Sequence, residues 1–184
     1  MRRSLGHRRA RRHYPYVGPE EVRVPISSQV AGHPITSPAD LTEWLARQDA
    51  SDRREPFTFV IDQSTTLRLA PRRSEHVVCA GGAPVLSAGE ITFEPDGTGW
   101  RVSEISNQST GYCPEPHFYA AVQSALDAAA LDHPGRFTVP FIFRRCESCS
   151  QFNVVKDDHY VCAICDEPLP TSWNADTPAS PHPK

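Results

Sequence analysis

Four of the six cysteines stand in two closely spaced pairs near the C-terminus. Cys146 and Cys149 form the first Cys-x-x-Cys pair, and Cys162 and Cys165 form the second after twelve intervening residues. A Cys-x-x-Cys turn directs two sulfur atoms toward one metal ion, and a structural zinc ion takes four such ligands in a tetrahedron. The spacing therefore predicts a structural zinc ion bound by these four thiolates. Iron in a rubredoxin-like site and a pair of disulfide bonds are the alternatives.

The residues between the two pairs are sufficient for a hairpin. We expect strands at 152–155 and 159–161, joined by a turn at 156–158. With its cysteines, this segment resembles a zinc ribbon, a small module whose folding depends on its metal ion. Ser150 and Asp166 occupy the positions after each pair where the commonest ribbons have glycine.

The surroundings of the predicted ribbon leave three roles open: a structural cap on a sheet, a protein-contact surface and a nucleic-acid contact. Arg144 and Arg145 flank the site and are the basic residues that a phosphate backbone would require. Asp157 and Asp158 at the predicted turn argue against a phosphate-binding face. A protein partner is therefore preferred over nucleic acid.

A second concentration of chemically active residue types lies between predicted strands in the middle of the chain. Three chemistries are compatible with it: acid–base catalysis by His76 with Glu75 or Glu90, a Cys79 or Cys113 nucleophile near His76 or His117, and anion binding by Arg72, Arg73 and Asn107.

The sharpest hypothesis for this polar segment is a single pocket. It is lined by His76, Glu90 and Asn107, with Arg72 or Arg73 at its mouth, because polar residues and glycines gather at the ends of adjacent hairpin strands. The structural alternative is that the glycines form turns, that the polar side chains satisfy backbone groups and that the lone cysteines are small core residues.

The motifs of this segment resemble a module of bacterial toxin-related and effector proteins. They are His76, Gly81-Gly82-Ala83-Pro84-Val85, Ala88-Gly89-Glu90, Ser106-Asn107-Gln108-Ser109 and Tyr112-Cys113-Pro114. Where that module has Ser-Gly-His-Tyr, this chain has Ser109-Thr110-Gly111-Tyr112 and so lacks the second histidine. Most of the chain also resembles a group of uncharacterised small bacterial proteins that end in the same ribbon. The alternative function is an enzyme or toxin-system component with a polar pocket around His76, Glu90 and Asn107, and neither resemblance assigns it an activity.

The charge distribution separates an N-terminal arm from the rest of the chain. Residues 1–13 carry six arginines and no acid, and without them 13 basic residues face 22 acidic ones, a balance of -9. An acidic body repels a phosphate backbone, so nucleic-acid binding would depend on this arm together with the ribbon. Neither a run of about 20 apolar residues nor an apolar stretch after the arginines is present, which predicts a cytoplasmic protein that does not enter the membrane.

The elements that must position these residues follow from periodicity and turn residues. Strands are predicted at 21–25, 57–61, 66–69, 85–93, 100–105 and 137–143, and helices at 38–48 and 116–131. Together they predict an α+β fold, with a small antiparallel sheet of hairpins, two helices and a C-terminal zinc ribbon. The predicted organisation is a disordered basic arm (1–13), an α+β domain (14–145), the ribbon (146–166) and a disordered tail (167–184) with Trp173 as its only anchor.

Overall fold

The structure is a computed structural model, and it describes residues 12–23 and 31–176 of the chain. It confirms the α+β class, with a five-stranded antiparallel sheet in the body and a two-stranded sheet in the C-terminal ribbon. The helices are α1 (Glu20–Arg23), α2 (Pro38–Ala46), α3 (His76–Cys79) and α4 (Tyr119–Ala128). The strands are β1 (His33–Ile35), β2 (Phe57–Ile61), β3 (Leu67–Ala70), β4 (Ser87–Asp96), β5 (Gly99–Ile105), β6 (Ile142–Arg145) and β7 (Phe152–Val155). Among the described residues, no helix combines the length and apolar character that a membrane crossing requires.

The body sheet has the order β1-β3-β2-β4-β5, and each neighbouring pair is antiparallel. Its two predicted hairpins are confirmed as β2–β3 and β4–β5. In the first turn, Thr65 adopts a φ of 66°, and the Asp62 carboxylate accepts two backbone N–H bonds. In the second, Asp96 pairs with Gly99 across a two-residue turn in which Gly97 has a φ of 58°. Strand β4 therefore extends beyond its predicted end.

The two longer helices pack on one face of this sheet. Helix α2 begins as predicted, because Ser37 Oγ accepts the N–H of Asp40 at 3.1 Å. Trp44 of α2 packs edge-on against Phe57 of β2, with ring centroids 4.8 Å apart. Helix α4 is shorter than predicted, and it adds Leu126 to the same buried core.

The opposite face is covered by α3 and by the segments around Tyr14 and Tyr112. Tyr14 is fully buried, and its backbone pairs with that of Val85. The one-turn helix α3 lies where the sequence predicted a loop, and it places Cys79 in this second core.

Two predicted strands are wrong in the described residues. The segment predicted as strand 21–25 forms the short helix α1 as far as Arg23, and the rest of it lies outside the described residues. Of the predicted strand 137–143, only the end from Ile142 belongs to a strand. Pro140 lacks the N–H that a ladder needs, and Val139 makes a single parallel bridge to Ser106.

The prediction of a disordered C-terminal tail is wrong for residues 167–176. Leu169 and Ala175 are buried, and Trp173 Nε1 donates a hydrogen bond to the carbonyl of Cys113 at 2.6 Å. Burial of Leu169 and Ala175, together with the hydrogen bond of the half-buried Trp173, fixes a segment whose polar composition favoured disorder. Residues 177–184 lie outside the described residues.

Most of the basic arm, residues 1–11, also lies outside the described residues. The last arginine of the arm, Arg12, is within them. Arg12 lies over the ring of Trp173, 3.8 Å from the ring centroid, and 5.7 Å from the centroid of Tyr14. The described end of the arm is therefore docked on the same tryptophan that holds the C-terminal segment.

Candidate metal centre

The two cysteine pairs form matching turns. In the first, the carbonyl of Cys146 accepts the N–H of Ser150 at 2.9 Å. In the second, the carbonyl of Cys162 accepts the N–H of Asp166 at 3.0 Å. Ser150 and Asp166 adopt φ values of 62° and 59°, which is the left-handed conformation that glycine supplies in the commonest ribbons. The turn that each cysteine pair forms, called a knuckle below, therefore keeps its geometry without glycine.

The hairpin inside the ribbon differs from the predicted one. Strand β7 (Phe152–Val155) is confirmed, but its partner is β6 (Ile142–Arg145), which precedes the first cysteine pair. The predicted second strand at 159–161 makes only isolated bridges, between His159 and Lys156 and between Val161 and Pro168. The first knuckle thus connects the two strands of the sheet.

The four sulfur atoms form a compact cluster. All of them lie within 4.8 Å of one another, and the Cys146–Cys165 and Cys149–Cys162 sulfur pairs are each 3.6 Å apart. A tetrahedral ion with metal–sulfur bonds of about 2.3 Å separates its ligands by about 3.8 Å. A disulfide bond would require about 2 Å, so these separations fit ligands of one ion and not two disulfides.

The surroundings of Cys162 favour a thiolate. Burial opposes ionisation, but the backbone N–H groups of Ile164 and Cys165, together with hydrogen bonds from Cys149 and Asn153, outweigh it and lower the pKa of Cys162 to about 6. Asn153 Nδ2 also donates to this sulfur at 3.5 Å, while its Oδ1 accepts the N–H of Ala163 at 2.9 Å. One side chain from β7 thereby orients the second knuckle. The arrangement can hold a metal ion with four sulfur ligands and leaves no position for a reacting water.

A buried ion pair attaches this metal centre to the body. Arg144 of β6 donates to Glu115 Oε1 at 2.8 Å, and the two side chains are 4% and 10% exposed. The same guanidinium donates to the carbonyls of Phe143, Pro170 and Thr171. Sequence reasoning missed this pair, because 29 residues separate its members and no local pattern joins them.

Arg145 is also used inside the molecule. Its guanidinium lies 4.3 Å from the ring centroid of Phe152 and donates to the carbonyl of Ala175. Its backbone N–H and carbonyl both bond the carboxamide of Asn174. Both arginines that flank the cysteines therefore serve internal contacts, which removes them from a surface that could bind phosphate.

In the polar segment of the body, His76 is committed to a backbone partner. Its Nε2 lies 3.0 Å from the carbonyl of Gly89, so this nitrogen carries the proton. Burial lowers the pKa of His76, which keeps the ring neutral. The ring nitrogen that faces Gly89 is thus not free to pair with Glu75 or Glu90 in acid–base catalysis.

Asn107 is fully buried and satisfies three backbone groups. Its Nδ2 donates to the carbonyls of Pro114 and Phe141, and its Oδ1 accepts the N–H of Phe141, each at 2.7 Å. This side chain fastens the end of β5 to the segment that leads into the ribbon. The geometry favours the structural alternative for Asn107 over anion binding.

The charged members of the predicted pocket lie near the surface. Arg72 pairs with Glu55 at 3.0 Å, and both side chains are exposed. Arg73 is exposed and adopts a φ of 66° in the turn before α3. Burial raises the pKa of Glu90, and the nearby charge of Arg72 opposes that rise. Arg72 is therefore paired at the surface, whereas Asn107 is directed into the interior.

The two lone cysteines are core residues. Cys79 and Cys113 are fully buried, and burial raises the pKa of each thiol to about 12. Their sulfur atoms face the carbonyls of Arg68 and Thr110. An exposed His117 has no described contact with either thiol, so neither cysteine resembles an activated nucleophile.

With the geometry of the metal centre and the polar segment established, the chain was compared with models of protein families, with curated proteins and with solved structures, and none of them matches it.

Proposed function

We propose that the protein is a cytoplasmic binding module that holds one structural zinc ion in its ribbon and contacts a protein partner through that ribbon. Zinc suits a closed shell of four thiolates, because it has no redox chemistry and prefers tetrahedral sulfur sites. Its role is to hold the two knuckles together, since a module this small cannot fold by burial of apolar surface alone.

The position of the exposed hydrophobic side chains carries the proposal of a partner. Three large hydrophobic side chains stand out in the described part of the chain: Val139, Val154 and Ile164, with exposed fractions of 37%, 40% and 70%. Ile164 is at the tip of the second knuckle, Val154 is on β7, and Val139 lies in the segment leading into β6. Their grouping in and beside the ribbon is typical of a contact surface.

The remaining chemistry supports binding over catalysis. His76 and Asn107 bond backbone groups, and Cys79 and Cys113 are buried thiols with raised pKa values. The free cysteines and the thiol-based metal centre suit the reducing environment of the cytoplasm.

Site-specific photo-crosslinking tests the proposed contact. A photoreactive amino acid replaces Ile164 in one variant and Gln123, on the exposed side of α4, in a matched control. In cells that produce the protein, the variant at 164 should yield a discrete crosslinked partner and the control should not. Replacing Cys149 with serine should abolish the crosslink by disordering the knuckles. Equal crosslinking from both positions, or none from position 164, would contradict the proposal.

A further inference from the structure

A groove lies between the body and the ribbon. It is lined by Pro116, residues 139–142 and residues 154–158. We call this cavity of about 590 Å³ the junction groove. Its walls are mainly apolar, and they include both Val139 and Val154, two of the exposed hydrophobic side chains. Water therefore contacts an apolar surface here that a partner could cover.

The strand that borders this groove has an open edge. Within residues 12–23 and 31–176, β6 is the one strand that pairs with β7. The N–H of Cys146 donates to the carbonyl of Gln151. Hydrogen-bonded and non-hydrogen-bonded residue pairs alternate along an antiparallel ladder, so the preceding residue, Arg145, directs its backbone groups away from β7, toward Asn174. By the same alternation, the N–H and carbonyl groups of Val154 face away from β6.

No described residue bonds the outward backbone groups of Val154. Such an edge accepts one more strand, which would gain main-chain hydrogen bonds from β7 and could place an apolar side chain against the exposed Val154. An extended segment fits these features better than a helix, because a helix satisfies its own backbone groups.

The charge at the end of the groove specifies the partner further. Asp157 and Asp158 form the turn after β7, and both are exposed. No ion pair joins either carboxylate to another described residue, and Lys156 offsets only one of the two charges. A cationic side chain in the partner would complement this end of the groove.

We infer that the outer edge of β7, beside the junction groove, binds an extended segment of a partner protein, which places apolar side chains near Val154 and a lysine or arginine at the end that lies beside Asp157 and Asp158. This inference rests on the proposed function and names the surface and the chemistry of its partner.

A displayed library of random short peptides, selected on the zinc-loaded full chain, tests the inference. Selected peptides should alternate apolar residues and carry a basic residue at the end that lies beside Asp157 and Asp158. Their affinity should fall about tenfold when Asp157 and Asp158 are both replaced by asparagine, which tolerates the left-handed turn. Replacing Asp96, an exposed acid in the β4–β5 turn, by asparagine is the matched control and should leave affinity unchanged.

Two further measurements test the strand edge. Val154→Lys should prevent binding of the selected peptides. Methylation of the peptide's backbone nitrogens should weaken binding, because the outward carbonyl of Val154 then loses its N–H donor. Failure to select any peptide, or equal binding to all variants, would overturn the inference. Self-association of the chain that Val154→Lys abolishes would show that a second copy covers the edge, which overturns it as well.

The crosslinking assay separates this inference from the proposed function. If the crosslink from position 164 persists when both Asp157 and Asp158 are replaced and in Val154→Lys, the ribbon has a partner but the outer edge of β7 does not bind it. If no crosslink forms from position 164 in the unaltered background, the proposed function itself fails.

Discussion

Replacing Arg144 with methionine should be among the most damaging single changes at the junction of body and ribbon. The guanidinium donates to Glu115 at 2.8 Å and to the carbonyls of Phe143, Pro170 and Thr171 at 2.7, 3.1 and 2.9 Å. Methionine has a similar length and no donor group. It therefore leaves one buried carboxylate and three carbonyls without their partner.

The expected loss of unfolding free energy is about 3–5 kcal/mol, because removal of one member of a buried pair leaves an uncompensated charge. Glu115→Gln retains an acceptor and leaves Arg144 bonded to its carbonyls, so it should cost about 1–3 kcal/mol. The double variant should cost less than the sum of the two, since the orphaned carboxylate is then gone. Arg47→Met is the control: its partner Glu43 is 75% exposed, and the expected loss is about 0–0.5 kcal/mol.

Urea unfolding in excess zinc, followed by tryptophan fluorescence, measures these differences. The linear dependence on urea gives the free energy of each variant, and an unchanged slope shows that the unfolding reaction is the same. A loss below about 1 kcal/mol for Arg144→Met, or strict additivity in the double variant, would refute the reasoning that the pair is buried and coupled.

Three other predictions concern the body and its docked segment. Burial lowers the pKa of His76, so below about pH 6.5 the unfolded chain takes up a proton that the folded chain does not. The free energy of unfolding should therefore be highest above about pH 6.5 and decrease as the pH falls through that value. Urea titrations of His76→Gln in excess zinc should show a smaller decrease. Asn107→Ala should cost about 2–4 kcal/mol by urea unfolding, because it orphans three buried backbone groups, and a loss below about 1 kcal/mol would contradict this. Trp173→Phe removes the indole donor to Cys113, and limited proteolysis should then cut residues 167–176 faster than in the unaltered chain; equal rates would show that the donor is unimportant.

The features that the sequence predicts well are those with local causes. The spacing of Cys146, Cys149, Cys162 and Cys165 predicts the sulfur cluster, because each knuckle is formed within a few residues. The cap at Ser37 is equally local, since its hydroxyl bonds a backbone group three residues ahead. Both features could be predicted without knowledge of any distant neighbour.

The features that the sequence does not predict depend on partners far along the chain. Asn107 bonds Phe141 across 34 residues, so its polar type indicated a pocket when its actual role is to join two segments. The tail shows the same limitation. Its composition favours disorder and indicates Trp173 as the only anchor. The acceptor of Trp173 at Cys113, 60 residues away, and the burial of Ala175 are not evident from the local sequence.

The backbone of the knuckles shows a third kind of difference. Ser150 and Asp166 adopt the left-handed conformation at a cost that glycine would avoid. The hydrogen bonds to the carbonyls of Cys146 and Cys162 compensate for it. The residue types at positions 150 and 166 therefore do not predict the left-handed backbone conformation, because the arrangement of the cysteines in each turn imposes it.

X-ray absorption spectroscopy of the purified full chain, combined with elemental analysis, tests the metal centre most directly. We expect about one zinc ion per chain, with four sulfur neighbours at about 2.3 Å. Cys149→Ser should lower the zinc content, whereas Cys79→Ser, which alters a buried thiol outside the cluster, should not. Less than about half an equivalent of metal with all thiols reduced, a different metal, or nitrogen and oxygen neighbours in place of the four sulfurs would contradict the assignment.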